Sequence, residues 1–464
     1  MGQQRRALSR RVSPGPGQPR TQPLNSTEPP ICRSVVIHGH FYQPPREDPW
    51  TGVVPVEESA EPDRDWNTRI TRECYEPLAR EGAFEWLSFD FGPTLLRWLE
   101  SHAPETHDRV IEGDRSSRRR LGHGNAIAHP FHHVILPLAS DREKRREIHW
   151  GIDDFERQFG RAPDGMWLPE TAVDRSTLDA LAAAGLAFTV LAPHQVKDPP
   201  PAGNAVTIAL GGGRKIAVFT YDGELSHGVA FGALLQDEAA WRERLTGPAL
   251  SQHHVVTTVT DGETFGHHHR GADRTLMRVV AAVRDSGTHR MDNFASCLAR
   301  HPPAVDVELV EPSSWSCAHG VDRWREACGC KMAPEIDSQQ EWRRPLREAL
   351  AWLEGELDRL VGDGAVHRLT DPARAEVARD IGAMFTSCAW FFDDVGGLEA
   401  TQSLRYAAHA IDLVASVDRP EAERLDRELT ARLGAAPSND PAIGDAGALY
   451  ATTIRGAHPL GSLP

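Results

Sequence analysis

Val255-Val256-Thr257-Thr258-Val259-Thr260-Asp261-Gly262-Glu263-Thr264-Phe265-Gly266-His267 is the stretch on which the fold turns. Its first six residues read as a buried strand, and polar residues and glycine close the run. What stands at the closed end is acidic, aromatic and imidazole. The same grammar recurs along the chain. Residues 35–37 are apolar and run into His38-Gly39-His40-Phe41-Tyr42-Gln43. Residues 165–168 run into Pro169-Glu170, and residues 216–221 into Asp222-Gly223-Glu224. Residues 84–89 and 187–191 are two further strand-like runs.

Helical patterns lie between them. Residues 141–159 are amphipathic. Asp174 stands as a capping residue before a helix-forming run that ends at Gly185. Strands alternating with helices predict a parallel sheet or barrel. After about residue 290 the texture becomes helical, over residues 342–361, 376–392 and 401–417. The expected organisation is therefore a disordered leader over residues 1–30 and an α/β barrel over 31–290. A helical domain over 291–434 and a loose tail over 435–464 complete it. The leader is rich in Pro, Gly, Ser and Arg, and the tail in Gly, Ala, Pro and Asp without periodicity.

Bulk properties exclude several classes. A net charge of −15 argues against a nucleic-acid partner. No apolar run is long enough for a membrane span. Seven cysteines in 464 residues are too few for a disulfide scaffold, and the arginine-rich N-terminus lacks the apolar core of a secretory signal, so the cytoplasm is the expected compartment.

In a parallel barrel, functional residues gather where strands end. Glu170 and Asp261 are two carboxylates at separate strand ends. That is what glycoside chemistry needs: one to attack the anomeric carbon, the other to protonate the leaving oxygen and then activate water. The acid needs a raised pKa, which a neighbour such as Glu263 can supply. His38 and His40, two apart on a strand, share one face. Trp167 and Phe265 offer apolar faces to sugar rings.

These residues resemble the motifs of glycoside hydrolase family 57. His38-Gly39-His40-Phe41-Tyr42-Gln43-Pro44 is similar to the first motif, with Phe41 and Tyr42 as two extra residues. Gly124-Asn125 with His129, His132 and His133 is similar to the second, Met166-Trp167-Leu168-Pro169-Glu170 to the third, and Asp261-Gly262-Glu263-Thr264-Phe265-Gly266-His267 to the fourth. The resemblance implies an incomplete (β/α)7 barrel followed by an α-helical domain. It also implies a retaining mechanism on α-glucan-type carbohydrate with no cofactor. Glu170 would be the nucleophile and Asp261 the acid/base. His38, His40, Gln43, His129, Trp167, Asp222, Glu263, Phe265 and His267 would bind substrate, with Trp390 reaching in from the helical domain.

The downstream half departs from the family's tryptophan-centred fifth motif. It reads Ser314-Trp315-Ser316-Cys317-Ala318-His319-Gly320, then Cys328-Gly329-Cys330, then Trp390-Phe391-Phe392-Asp393-Asp394. Two rival readings stand beside the glycosidase. One is a metal-dependent deacetylase or mannosidase-like barrel with His38, His40, Asp261 and His267 as ligands. The other is a catalytically inactive glycan-binding barrel. Cys317, His319, Cys328 and Cys330 are ligand types that suit zinc, but their spacing is not the usual C-x2-C, and free cysteines with no metal are the default expectation.

Overall fold

The computed structural model describes residues 33–199, 203–247, 254–362 and 369–463. The expected leader, 1–30, lies outside them. Seven named strands order the N-terminal part: β1 (Arg33–Phe41), β2 (Ser88–Phe91), β3 (Phe188–Leu191), β4 (Ala205–Ala209), β5 (Lys215–Thr220), β6 (Val255–Asp261) and β7 (His289–Met291). Strand β1 is central. It pairs in parallel with β6 from Ser34↔Val255 to His40↔Asp261. Its other edge is shared, β7 taking the lower half and β2 the upper, from His38↔Ser88 to Phe41↔Phe91.

The ring continues through single parallel bridges, Phe89↔Ala126, Ala128↔Met166 and Gly165↔Phe188, and then through the β3–β5 pair. Between β5 and β6 there is no ladder among the described residues. The Asp222 N–H there reaches the Thr257 carbonyl at 3.3 Å and its Oγ1 at 3.1 Å. The result is the expected incomplete (β/α)7 barrel, with β4 added antiparallel on β5.

Val35, Val36 and Ile37 are completely buried, which is why β1 reads as a continuous apolar run rather than an alternating one. The strand expected over 84–89 sits later, at β2. Residues Ala83–Glu85 form a 3-10 turn, because Gly82 at φ 70 turns the chain just before it. Helix Asp141–Phe159 begins where the Ser140 side chain accepts from the Glu143 N–H and ends at left-handed Gly160.

The helical half has its own core. Helix Arg343–Gly362 turns Leu346, Leu350, Leu353 and Leu357 inward, all fully buried, against helices Asp371–Met384, Leu398–Ala415 and Arg419–Leu433. Each such leucine contributes about 1.5–3 kcal/mol by leaving water. The helix expected over 376–392 is broken after Met384. Val134 bridges Thr386 there, and a short helix, Cys388–Phe391, follows.

The tail expected to be loose from 435 is folded. Helix Ala446–Leu449 and a wider turn, Tyr450–Ile454, pack on helix Arg419–Leu433. Tyr450 is fully buried and donates to Asp426, while Arg455 joins Asp426 to Asp412. The small residues that hid this segment from periodicity are what seat it, since a Cβ on Gly447 would lie 2.7 Å from the Thr430 carbonyl. Among the described residues no helix is long and apolar enough to cross a membrane.

Candidate active site

Register builds the site. The β1 pairings place His40 between Asp90 of β2 and Asp261 of β6. Laterally paired residues of a parallel sheet point the same way, so three charged side chains stand in a row at the strand ends. Asp90 is fully buried and reaches both histidines of β1, His38 Nε2 at 3.1 Å and His40 Nδ1 at 2.8 Å. The two imidazoles stack on Trp167, each with ring centroids 5.1 Å away.

Glu170 is held from a different direction. Its backbone has φ 57, and Thr171 beside it has φ 48. Left-handed geometry costs about 1–3 kcal/mol at a residue that is not glycine, and it persists where neighbours enforce it. Gln195 is that enforcement. Its amide donates to the Thr171 carbonyl at 2.8 Å, and its oxygen accepts from the Thr171 hydroxyl at 2.8 Å. Glu170 Oε2 accepts from Trp315 Nε1 at 2.9 Å and from Ser316 Oγ at 2.6 Å. The Trp315 N–H also donates to the Glu170 carbonyl at 3.1 Å. Among the described residues Oε1 accepts no hydrogen bond.

The electrostatics follow from burial and charge count. Burial raises the Asp90 carboxyl, but His40 and His38 overcome it and hold Asp90 at about 2. Burial lowers His40, and the opposing pull of Asp90, Asp261 and Glu263 wins, raising it to about 9. Burial raises Asp261; the His40 charge pulls it down, Glu170 and Asp90 push it up, and it sits at about 6. Burial and Asp261 lift Glu263 to about 7, against the Tyr75 hydroxyl that donates to it at 2.5 Å.

His133 is pushed well down by burial and by the charges of His129 and His40. Burial takes His129 to about 4. His40 Nε2 lies 3.2 Å from His133 Nε2, and His133 Nδ1 lies 2.6 Å from Ser387 Oγ. These directions assign the protons: a charged His40 donates to Asp90 and to neutral His133.

Of the residues singled out from sequence, His38, His40, Trp167, Glu170 and Asp261 converge. His129 joins them, its ring 5.5 Å from that of His40 and its buried Nε2 without a hydrogen-bond partner. Glu263 is buried behind Asp261 and accepts from the Tyr42 N–H and Tyr75. Gln43 is engaged by Arg46 and Tyr75. Asp222 caps helix Gly223–Ala230 through the Leu225 N–H.

Three assignments are corrected. Phe265 is fully buried and stacks on Trp241, so it offers no sugar platform. His267 turns outward to Glu73 at 2.6 Å. Trp390 is sealed in the helical core, donating to the Arg343 carbonyl under the Arg347 guanidinium. The aromatic that reaches the site is Trp315, edge-on to Trp167 at 5.1 Å.

Asp90, Gln195 and Ser387 escaped the sequence reading, and His133, Trp315 and Ser316 stood in quoted motifs without a role at the site. Asp90 carried a signal, an acid between two buried phenylalanines; Gln195 and Ser387 carried none.

The metal set of the rival reading is not assembled, because His267 pairs with Glu73 and His38 with Asp90. Side chains of the described residues that could hold an ion fall elsewhere: His40, His129 and His133; Glu143, Glu354 and Asp358; and Cys317, His319, Cys328 and Cys330. In the first set the charged His40 has no lone pair to offer while it bonds to Asp90 and His133.

An incomplete barrel with two unlike carboxylates at its strand ends and a helical domain over them defines a class of carbohydrate-active enzyme. Residues 56–294, just over half of the chain, match the model described as glycosyl hydrolase family 57, and the chain belongs to that family. Residues 375–459 match a domain of unknown function, DUF3536.

An exo-type maltose-forming amylase from Pyrococcus sp. ST04 superposes with a TM-score of 0.68 at 15% identity, over 87% of this chain and 83% of that one. A family 57 branching enzyme from Pyrococcus horikoshii gives 0.61 at 17% identity, over 86% and 94%. A 4-alpha-glucanotransferase from Thermococcus litoralis gives 0.61 at 17%, over 83% and 60%. At these identities the likeness is one of fold. Alpha-amylase 1 of Dictyoglomus thermophilum is 28% identical over 106 residues, a stretch that covers 23% of this chain and 15% of that protein.

Proposed function

We propose that the chain is a retaining enzyme of α-linked glucans, working through a glycosyl-enzyme intermediate. Glu170 Oε1 attacks the anomeric carbon while Asp261 gives its proton to the glycosidic oxygen, and the carbon–oxygen bond breaks. Asp261, now a carboxylate, takes a proton from water or from a sugar hydroxyl, which then displaces Glu170. Water completes hydrolysis; a sugar completes transfer.

One observation carries the reading. Two carboxyl groups brought together at the strand ends have unlike surroundings: Glu170 takes two donors on a single oxygen, and Asp261 takes none among the described residues and is lifted by burial to about 6. The family membership, and the amylase, branching enzyme and glucanotransferase among the similar structures, support glucan as the substrate class. The unpartnered Nε2 of His129 would bind a hydroxyl beside the cleaved bond, and Trp315 would pack on a sugar face. A cytoplasmic site fits the low and odd cysteine count.

The test is a product screen on starch, glycogen, maltooligosaccharides and mannosides, with Glu170→Gln as control. NMR of the first-released sugar should show the α-anomer. Initial release of the β-anomer, or activity undiminished in Glu170→Gln, would overturn the retaining assignment.

A further inference from the structure

The segment that grips Glu170 runs directly into a cluster the mechanism does not use. Trp315 and Ser316 are followed by Cys317 and His319; Cys328 and Cys330 fold back against them. Cys317 Sγ lies 4.0 Å from Cys328 Sγ and 3.8 Å from Cys330 Sγ, and Cys330 Sγ lies 3.7 Å from His319 Nδ1. A tetrahedral zinc with Zn–S near 2.3 Å and Zn–N near 2.0 Å requires sulfur–sulfur edges of about 3.8 Å and sulfur–nitrogen edges of about 3.5 Å. A disulfide would bring one pair to about 2 Å, and no pair is so close. The four donor atoms all lie within 4.8 Å of one another.

We propose that Cys317, His319, Cys328 and Cys330 form a tetrahedral structural zinc site that fastens the Trp315–Ser316 clamp. The sequence default of free cysteines with no metal gives way to this reading on geometry. Gly329, at φ 90, makes the turn that aims Cys328 and Cys330 at the same point. Gln340 holds that turn, its side-chain oxygen accepting from the Gly329 N–H at 2.9 Å and its amide donating to the Cys330 carbonyl at 2.5 Å.

Charge gives an independent argument. Three thiolates and a neutral imidazole around Zn²⁺ carry one net negative charge. Arg343 is fully buried and, among the described residues, has no carboxylate within ion-pairing distance. Its Nη1 lies 3.9 Å from Cys328 Sγ, and its Nη2 donates to the Cys330 carbonyl at 3.1 Å. A buried guanidinium needs an anion, and the zinc–thiolate centre supplies it. His319 is exposed while Cys317 is buried, so an ion has a route in.

The link to Glu170 is short and rigid. Arg323 ties the Ser316 carbonyl (3.3 Å) to the Phe391 carbonyl (2.9 Å), and Ser314 Oγ donates to the Gly320 carbonyl at 2.6 Å. The clamping role rests on the proposed function of Glu170; the metal site does not.

The experiment is elemental analysis of the full-length protein purified under reducing conditions without added metal. About one zinc per chain is expected. Cys330→Ser and His319→Ala should each weaken retention of zinc against a chelator. Cobalt(II) exchanged into the site should give the strong visible bands of a tetrahedral thiolate complex. No bound zinc, a different metal, or a disulfide among the three cysteines overturns the proposal. Arg343→Leu should weaken zinc affinity by about 10–100-fold if it balances the site. On removing zinc, backbone hydrogen exchange over residues 313–324 should quicken while that of β6 stays unchanged. Unaltered exchange at 313–324 overturns the fastening. Both outcomes read independently of turnover.

Discussion

At the strand-end side of the barrel Asp90, His40 and Asp261 stand side by side on three strands, whereas in the helical half buried Asp412 is enclosed by donors. Asp412 there accepts from Arg455, Trp50 and the Gly461 N–H, and Asp380 pairs with His409 at 2.8 Å. In the cleft one imidazolium serves several carboxylates. Asp261 accepts no hydrogen bond through its carboxylate among the described residues, and Glu170 has one oxygen uncommitted. Asp412, with three donors, ties separate elements of the fold together. Acids left incomplete at a cleft keep a lone pair or a proton for something else. The helical half still shapes the cleft: its break after Met384 brings Ser387 to His133, and the segment before it brings Trp315 and Ser316 to Glu170.

Substitutions can break that contrast. Glu170→Gln should cost the most, roughly 10⁴-fold or more in kcat/KM, with the thermal midpoint barely changed; a large loss of stability instead would make Glu170 a structural acid. Asp261→Asn should lower turnover by roughly 10²–10⁴-fold. The deficit should shrink on aryl glycosides whose leaving group needs no proton, and a deficit independent of leaving group would deny it the acid role.

Tyr450→Ala, on the other side of the contrast, should cost about 3–5 kcal/mol in denaturant unfolding, as large aromatic truncations in cores do, and should leave the pH profile in place. Ser316→Ala removes one donor to a charged oxygen, worth about 1.5–3 kcal/mol. It should slow kcat by roughly 10–150-fold, and an effect on KM alone would count against the clamp.

The smallest effect is a shift. Asp261 must be protonated to act, so activity should fall as pH rises through about 6. His40 pulls that value down, and His40→Gln should therefore move the alkaline limb to higher pH. A movement to lower pH would reverse the proposed charge on His40.

Much of the fold was legible. Apolar runs closed by polar residues, glycine or proline located β1, β3, β5 and β6 closely and the bridged segment at Gly165 and Met166, while β4 and β7 were not foreseen; a parallel strand buried on both faces leaves an unbroken apolar signature. The miss at β2 came from three aromatic residues, Phe84, Phe89 and Phe91, which look alike in sequence although Phe84 lies in the 3-10 turn that follows Gly82 and only Phe89 and Phe91 lie in the strand. The tail was misread for a related reason. Gly and Ala carry no periodicity, yet they are what allow close packing against helix Arg419–Leu433.

Site legibility divided by distance along the chain. Strand-end motifs named Glu170, Asp261, His38 and His40, since a motif is local and so is a strand end. Sequence by itself determined the barrel, the family and those four positions. Only tertiary structure decided that Asp90 stands beside His40, that Gln195 holds Thr171 in a left-handed turn, and that Trp315 rather than Trp390 reaches Glu170. Register, burial and the count of charges around one imidazole are sums over residues far apart in the chain, and no local pattern encodes them.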